Sequence, residues 1–453
     1  MRKRHAGLRW VQELPPGWTA KPLRAVASCR VSSVDKLSEE GELPVCLCNY
    51  TDVYYNEAIT LALPFMQATA SADEISAFRL LPGDVLVTKD SESWDDIAVA
   101  ALVKESSPDL VCGYHLAILR PDPAEISGEF LLRCLQASCV NHQFQVAATG
   151  VTRFGLPRCA LRASLVPVPP LERQRDLCKR LDRALGEISA LVAKKQRLIE
   201  LLEEKRAAAV SRAVTVGLDP TTTTRELGEA YWREAPAHWT ATRLKFVLRG
   251  IEQGWSPQCD SRVAEADEWG VLKVGCVNGC TFDEAENKAL PPGLDIEERY
   301  EIRPGDVLIS RANTRELVGS AALVTTVRPK LLLCDKLYRL RPGPRITPAY
   351  ATLLLQSVPV RYQMECEATG ASGSMQNVGQ DTVRNLRVAI PPLEEQVKIA
   401  EWALAQSANF GKLAAALETT IARLREYRSA LITAAVTGQL DISKHEKKME
   451  ALA

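Results

Sequence analysis

The sequence predicts an α+β chain built by duplication: two mixed α/β heads alternate with two long helices that pair antiparallel as a coiled coil, the halves being related by an internal pseudo-twofold. Three observations predict this. First, Pro169-Pro170-Leu171-Glu172-Arg173-Gln174 returns 222 positions later as Pro391-Pro392-Leu393-Glu394-Glu395-Gln396, and Val214-Thr215 with Leu218-Asp219 returns at the same offset as Val436-Thr437 with Leu440-Asp441. A long internal repeat of this kind sets the symmetry of a fold. Second, a Pro-Gly-Asp turn feeding an apolar run occurs at residues 81–87 and again at 303–309, as expected for a turn entering a buried strand. Third, each proline motif opens a segment with apolar residues at alternating spacings of three and four.

Taken in chain order, each half begins with a tryptophan entrance, Leu14-Pro15-Pro16-Gly17-Trp18 followed by Leu23 and Ala235-Pro236-Ala237-His238-Trp239 followed by Leu244. The Pro-Gly-Asp strand comes next, then apolar triplets at 101–103 and 322–324, strands ending at Arg120-Pro121 and Arg341-Pro342, and short helices ending at Leu135-Gln136 and Leu355-Gln356. Each head then reaches Ala-Thr-Gly, at 148–150 and 368–370. In the first helix Leu181, Leu185, Ile188, Val192, Ile199, Leu202 and Ala209 form the stripe, with Lys195 and Arg206 in the seam. In the second, Ala403, Ser407, Phe410, Ala414, Leu417, Ile421, Leu424, Arg428 and Leu431 occupy the same positions. A continuous helix of this extent is roughly 66 Å long at 1.5 Å per residue, with Gly186 and Gly411 as possible breaks. Gly217 and Asp219-Pro220 stop the first helix, and Thr221 to Thr224 form a polar linker. The expected organisation is an extension at 1–13, a head at 14–168, a helical spacer at 169–220, a linker at 221–234, a second head at 235–390, a second spacer at 391–443 and a tail at 444–453. Two ordinary core helices within a larger bundle are the alternative to a paired coiled coil.

The bulk numbers bound the function. A chain of 453 residues, 46% hydrophobic and 25% charged, has length for several cores, and it contains no apolar run able to span a bilayer. The basic start, Met1-Arg2-Lys3-Arg4-His5, leads into no apolar signal segment, so a cytoplasmic, non-membrane protein is expected. Thirteen cysteines, an odd number with no CxxC pair, argue for reduced thiols and against a zinc site. The net charge is zero, so any nucleic-acid contact must rest on local charge rather than on the total.

The two proline motifs in register, each preceded by a head and followed by a heptad helix, resemble the specificity subunits of type I restriction-modification systems. Thr369-Gly370-Ala371-Ser372-Gly373-Ser374-Met375-Gln376-Asn377, shortly before the second motif, belongs to the same pattern. The resemblance extends from about Leu14 to about Ser443. It implies two target-recognition domains, each reading half of a bipartite double-stranded DNA site, and helices that hold them apart and dock two methyltransferase (modification) subunits, joined by restriction translocase subunits. It also implies that S-adenosylmethionine, ATP and magnesium are cofactors of those partners, with none in this chain. The first head departs from the pattern: residues 148–155 lack the Ser-Gly-Ser and Gln-Asn of the second.

Base reading needs side chains with paired donors and acceptors. Lys89 and Ser91 follow the first Pro-Gly-Asp strand, and Arg311, Asn313 and Arg315 follow the second. Around the Thr-Gly segments, Thr149, Gly150, Thr152 and Arg153 in the first head, and Thr369, Gly370, Ser372, Ser374, Gln376 and Asn377 in the second, supply hydroxyls, amides and backbone N–H groups suited to phosphate. Each group is also compatible with an ordinary surface turn. The first helix holds 11 basic and 6 acidic residues between Arg173 and Arg212, which suits a duplex, a partner or a solvated face alike. No methyltransferase, phosphate-loop or metalloprotease motif is present. Asp84 with Lys89 is a poor nuclease pair, because the second copy has Asp306 with Arg311. His115, matched by Lys336, reads as structural. The reading is therefore a non-catalytic DNA-specificity subunit, with a two-headed protein-interaction scaffold as the alternative.

Overall fold

The structure, a computed structural model, describes Val11 and residues 13–229, 231–372 and 375–439, with backbone only at 371 and 372. Most of the expected extension and the whole of the expected tail lie outside the described residues. The chain divides into two compact units, one comprising residues up to Gln196 together with those from Glu418 onward, the other Arg197–Leu417. The segments assigned from sequence to helical spacers, 169–220 and 391–443, therefore divide between the units.

Both long helices are continuous, Leu171–Val216 with 46 residues and Leu393–Val436 with 44. Gly186 and Gly411 do not interrupt them, because a single exposed glycine costs only about 1 kcal/mol in a helix and a helix held by tertiary packing absorbs that. In the first unit Leu177, Leu181, Leu185 and Ile188 share one core with Leu431, Ile432, Ala435 and Val436. The start of the first helix thus lies beside the end of the second, an antiparallel pairing. In the second unit Val210, Ala213 and Val214 share a core with Ile399 and Ala403, again end beside start.

The heads are mixed α/β. In the first, a five-stranded sheet runs in the order Ala27–Val31, Leu116–Pro121, Val85–Thr88, Ala100–Val103, Ala58–Ile59, antiparallel except at its last pair. In the second, Leu248–Gln253, Leu337–Pro342, Val307–Ser310 and Ala321–Leu323 repeat the first four positions. Each head closes on itself through an antiparallel ribbon, Thr19–Pro22 with Leu165–Val168 and Thr240–Arg243 with Arg387–Ile390, so the chain enters and leaves each head at one point.

The repeated motifs explain themselves physically. Gly83 and Gly305 take φ of 94° and 93°, a left-handed turn that favours glycine. The following aspartates cap that turn: Asp84 accepts the Leu81 N–H at 2.8 Å and Asp306 the Arg303 N–H at 3.0 Å. Both are buried and neutralised by arginine, Asp84 by a two-pronged contact with Arg120 at 2.7 and 2.8 Å, Asp306 by Arg339 at 3.2 Å and Arg341 at 3.0 Å. Asp84 does not pair with Lys89, so the weak nuclease reading has no geometric basis.

The glutamines of the proline motifs are fully buried knots. Gln174 Nε2 donates to the Glu125 and Pro169 carbonyls at 2.9 Å each, while its Oε1 accepts the Ser127 N–H at 2.9 Å. Gln396 repeats the pattern with Arg345, Pro391 and Thr347 at 2.9, 3.0 and 2.8 Å. Ser127 and Thr347 are themselves the N-caps of Gly128–Gln136 and Pro348–Gln356, so each glutamine fixes a long helix to the cap of one of the head's own helices.

Candidate nucleic-acid interface

In each head the two candidate loops, about 60 residues apart in sequence, meet in one small sheet. In the first, Thr149–Gly150 pairs with Phe154–Gly155, which pairs with Asp90–Ser91. In the second, Thr369–Ser372 pairs with Met375–Asn377, which pairs with Ala312–Asn313. The junction is the same in both, since Leu156 N–H donates to the Lys89 carbonyl at 2.7 Å and Val378 N–H to the Arg311 carbonyl at 2.9 Å. A hairpin is thereby hung on the strand that leaves the Pro-Gly-Asp turn.

The tip of the first hairpin is open to solvent. Thr149, Gly150, Thr152 and Arg153 are all exposed, and Val151 is 91% exposed. Gly150 has φ of 148°, and a Cβ there would lie 2.0 Å from the Arg153 carbonyl oxygen, so this turn requires glycine. At its base, Asp90 Oδ2 is 2.7 Å from both Lys89 Nζ and His115 Nδ1. Burial pushes the Asp90 carboxyl up, but the hydrogen bonds from His115 and Lys89 outweigh it and hold the pKa below the ordinary value. Lys89 is therefore engaged within the protein. Ser91 is buried, its hydroxyl accepting the Ser93 N–H at 3.2 Å, which withdraws it from any surface contact; its sequence position gave no sign of this because a two-residue strand turns alternate side chains inward.

In the second head, Arg311 Nη1 donates to the Asp335 carbonyl at 3.3 Å. Both ends of the Asn313 carboxamide are occupied, Nδ2 toward Asn278 at 3.2 Å and Oδ1 by the Thr314 N–H at 2.9 Å. Arg315 is exposed and makes no ion pair or hydrogen bond among the described residues. Gln376 and Asn377 are half-buried on the middle strand, Thr369 and Gly370 are exposed on the edge strand, and Ser374 with the side chain of Ser372 lies outside the described residues.

Sequence reasoning missed the helix Tyr50–Tyr55 beside the first hairpin. Tyr50 stacks on Tyr54 with ring centroids 5.4 Å apart, and its phenol, pushed up by burial, faces Asp96, Ser91 and Arg153. Tyr54 donates to Asp96 at 2.6 Å, a bond that pushes its phenol up to about 12. The capping box between Asn49 and Asp52 was the available signal for a helix start here.

On the first long helix, charges pair locally, as Arg173 and Arg180 do with Asp176 at 3.2 and 2.8 Å and Arg197 with Glu200 at 2.6 Å. No cluster of metal ligands occurs among the described residues, and no described helix is long and apolar enough to cross a membrane.

No family model matches the chain. It is 32% identical over 168 residues to the EcoEI type I restriction enzyme specificity subunit of Escherichia coli, a stretch that covers 37% of this chain and only 28% of that protein. It is 23% identical over 447 residues to the EcoKI specificity subunit of Escherichia coli K12, covering 94% of this chain and 90% of that one. Both of these relatives are type I restriction enzyme specificity subunits. A chain solved in work on complex assembly and conformational transition of the type I R-M system shares this fold, with a TM-score of 0.64 at 18% identity over 94% of this chain and 99% of that one. The expected α+β architecture with two long helices is the observed one.

Proposed function

We propose that this chain is a specificity subunit that selects the DNA sequence for a type I restriction-modification complex, each head reading one half of a bipartite site. The observation that carries the reading is the repeated platform: in both heads a hairpin pairs with the strand that leaves the Pro-Gly-Asp turn, but with different side chains, exposed Thr152 and Arg153 at one, and half-buried Gln376 and Asn377 with the exposed Arg315 loop at the other. Common scaffold with divergent tips is what two different half-sites require, because scaffold contacts position a protein on DNA while side chains at base edges specify sequence. The bases of a gap between half-sites need no contact. Half-sites about one helical turn apart, 10 to 10.5 base pairs, present the same face of the duplex.

In this reading the chain performs no chemistry. Its aspartates at the Pro-Gly-Asp turns are buried and neutralised by arginine, which leaves them to hold structure. Methyl transfer from S-adenosylmethionine, and ATP- and magnesium-dependent translocation, belong to methyltransferase and translocase subunits that dock on this one, and the complex works in the cytoplasm. The test is methylation mapping of host DNA with and without the gene. A split methylated motif that vanishes on deletion supports the reading, and turnover by the purified chain alone, or no change in the methylation pattern, overturns it. Replacing residues 14–165 by the corresponding head of another family member should change one half of the motif only.

A further inference from the structure

Resting on the reading of the hairpin platforms as DNA-contacting faces, we propose that Trp94 is a specificity-determining residue of the first head, held by Asn141 and Gln145 so that it meets a thymine methyl group in the major groove.

Trp94 lies in the loop that follows the strand leaving the Pro-Gly-Asp turn, and this loop is held at the same two points in both heads. In the first head, Asn141 Nδ2 donates to the Ile97 carbonyl at 3.2 Å and Gln145 Nε2 to the Asp95 carbonyl at 2.9 Å. In the second, Arg361 alone does both, donating to the Val318 carbonyl at 2.6 Å and the Glu316 carbonyl at 2.8 Å. Asn141 and Arg361 correspond at an offset of 220, and the two pairs of carbonyls at 221. Gln145 corresponds to Glu365, which pairs with Arg361 at 3.8 Å. The donors have changed their chemistry while the acceptors have stayed, so what is kept is the position of the loop. Each loop ends on a left-handed residue at the matching place, Gly319 with φ of 77° and Ala98 with φ of 61°. An alanine there is strained, and such strain persists only where surrounding contacts over-determine it. Tyr54 adds a third tie in the first head through Asp96.

What the clamp holds out differs between the heads. Three residues before buried Ile97 stands Trp94, and three before buried Val318 stands Arg315; both are exposed, Trp94 by 51%. The loop shares a face with the hairpin, since Ser91 at its foot pairs with Phe154, and Tyr50 faces Asp96 and Glu92 in the loop as well as Arg153 in the hairpin. A tryptophan held in water on a tethered loop is a recognition anchor, because little ordering entropy remains to be lost on contact. Exposed Glu92 and Asp95 stand beside it in the loop. Carboxylates are repelled by phosphate, so this loop meets base edges and leaves the backbone to other residues. The base-specific apolar group in the major groove is the thymine methyl.

The test uses the full chain assembled with methyltransferase subunits, and duplexes carrying the methylated motif found by mapping. Trp94→Ala, at an exposed position, should weaken binding about tenfold and relax one base pair of one half-site, with the salt slope unchanged. Trp94→Phe should keep the preference. Uracil in place of thymine at that pair removes only the methyl group; it should weaken the unaltered complex roughly fourfold, the worth of one buried methylene-sized group, and have no effect on the Trp94→Ala complex. Asn141→Ala combined with Gln145→Ala should relax the same base pair, whereas a merely structural tie would lower affinity for every sequence alike, and that result would overturn their positioning role. A photo-crosslinking amino acid at position 94 should capture DNA. Unchanged affinity in Trp94→Ala, equal loss on all sequences, no thymine at the relaxed pair, a uracil effect that survives the substitution, or crosslinks to the methyltransferase subunit in place of DNA would each overturn the proposal while leaving the specificity-subunit reading in place. Absence of any split methylated motif would overturn both.

Discussion

The carboxamide of Gln174 and the backbone of Ser127 are joined at 2.9 Å, so the residue that closes the proline motif also fixes the cap of the helix Gly128–Gln136. The same side chain donates to the Glu125 and Pro169 carbonyls. One fully buried group therefore satisfies three backbone groups where head and long helix meet, and Gln396 does so again in the second unit.

Gln174→Leu keeps the volume and removes all three bonds. Unsatisfied buried backbone groups cost about 1 to 3 kcal/mol each, so the first unit should lose about 3 kcal/mol or more. Chemical denaturation of the full chain, followed by hydrogen exchange resolved along the sequence, should show the loss in residues up to Gln196 and not in residues 197–417. A loss under about 0.5 kcal/mol, the range of ordinary surface substitutions, would show that the knot is incidental.

A second repeated contact ties the far ends of the helices. Thr433 Oγ1 accepts the Ser138 N–H at 3.0 Å, and Ser211 Oγ accepts the Val358 N–H at 3.0 Å. Each hydroxyl caps the start of a head helix, Ser138–Ala147 or Val358–Glu367, from another helix. Thr433→Val and Ser211→Ala should each cost about 1 kcal/mol, the usual worth of an N-cap, with additive losses because the two contacts share no partner. Thr433→Ser, which keeps the oxygen, should cost less than half as much.

These ties show where the sequence is legible. The helix stripes were readable because heptad spacing is local: every stripe position from Leu181 to Ala209 and from Ala403 to Leu431 is buried or half-buried. The candidate loops were readable too, because the repeat aligns Lys89 with Arg311 and Thr149-Gly150 with Thr369-Gly370. What escaped was long-range. Pairing of the Asp90 strand with the Phe154 strand, the burial of Ser91, and the contact of His115 with Asp90 depend on contacts across the folded head. The pairing of Glu57 with Arg428 joins residues 371 positions apart, and no local pattern encodes it.

Asp90 gives a pH dependence with a definite sign. Its folded pKa lies below the ordinary value of 3.8, because His115 and Lys89 outweigh the effect of burial. A depressed carboxylate pKa contributes stability that is present above the unfolded pKa and is lost as pH falls through the folded one. Asp90→Asn should therefore be less stable than the unaltered chain at pH 7, and the two stabilities should converge as pH drops below about 4, near the unfolded aspartate pKa. A constant difference from pH 7 to pH 3, measured by denaturant unfolding, would show that the pair is not what stabilises the hairpin base.

Arg315 and Lys89 test the platform from opposite sides. Arg315 is exposed and unpaired among the described residues, whereas Lys89 is bound to Asp90 at 2.7 Å. If the hairpin faces carry the DNA, Arg315→Ala removes a free cation from the contact surface. Binding of the assembled complex to its site should weaken about tenfold, and the slope of log affinity against log salt should become shallower by about 0.9 if the contact is to phosphate. A contact to a guanine edge would instead cost about 1 to 3 kcal/mol and relax specificity at a single base pair. Lys89→Ala should leave the salt slope nearly unchanged, since its charge is already matched within the head, and should act through stability of the hairpin base. Reversal of that order, with Lys89 controlling the salt slope and Arg315 silent, would place the duplex against the Asp90 strand of the first head and away from the Arg315 loop of the second.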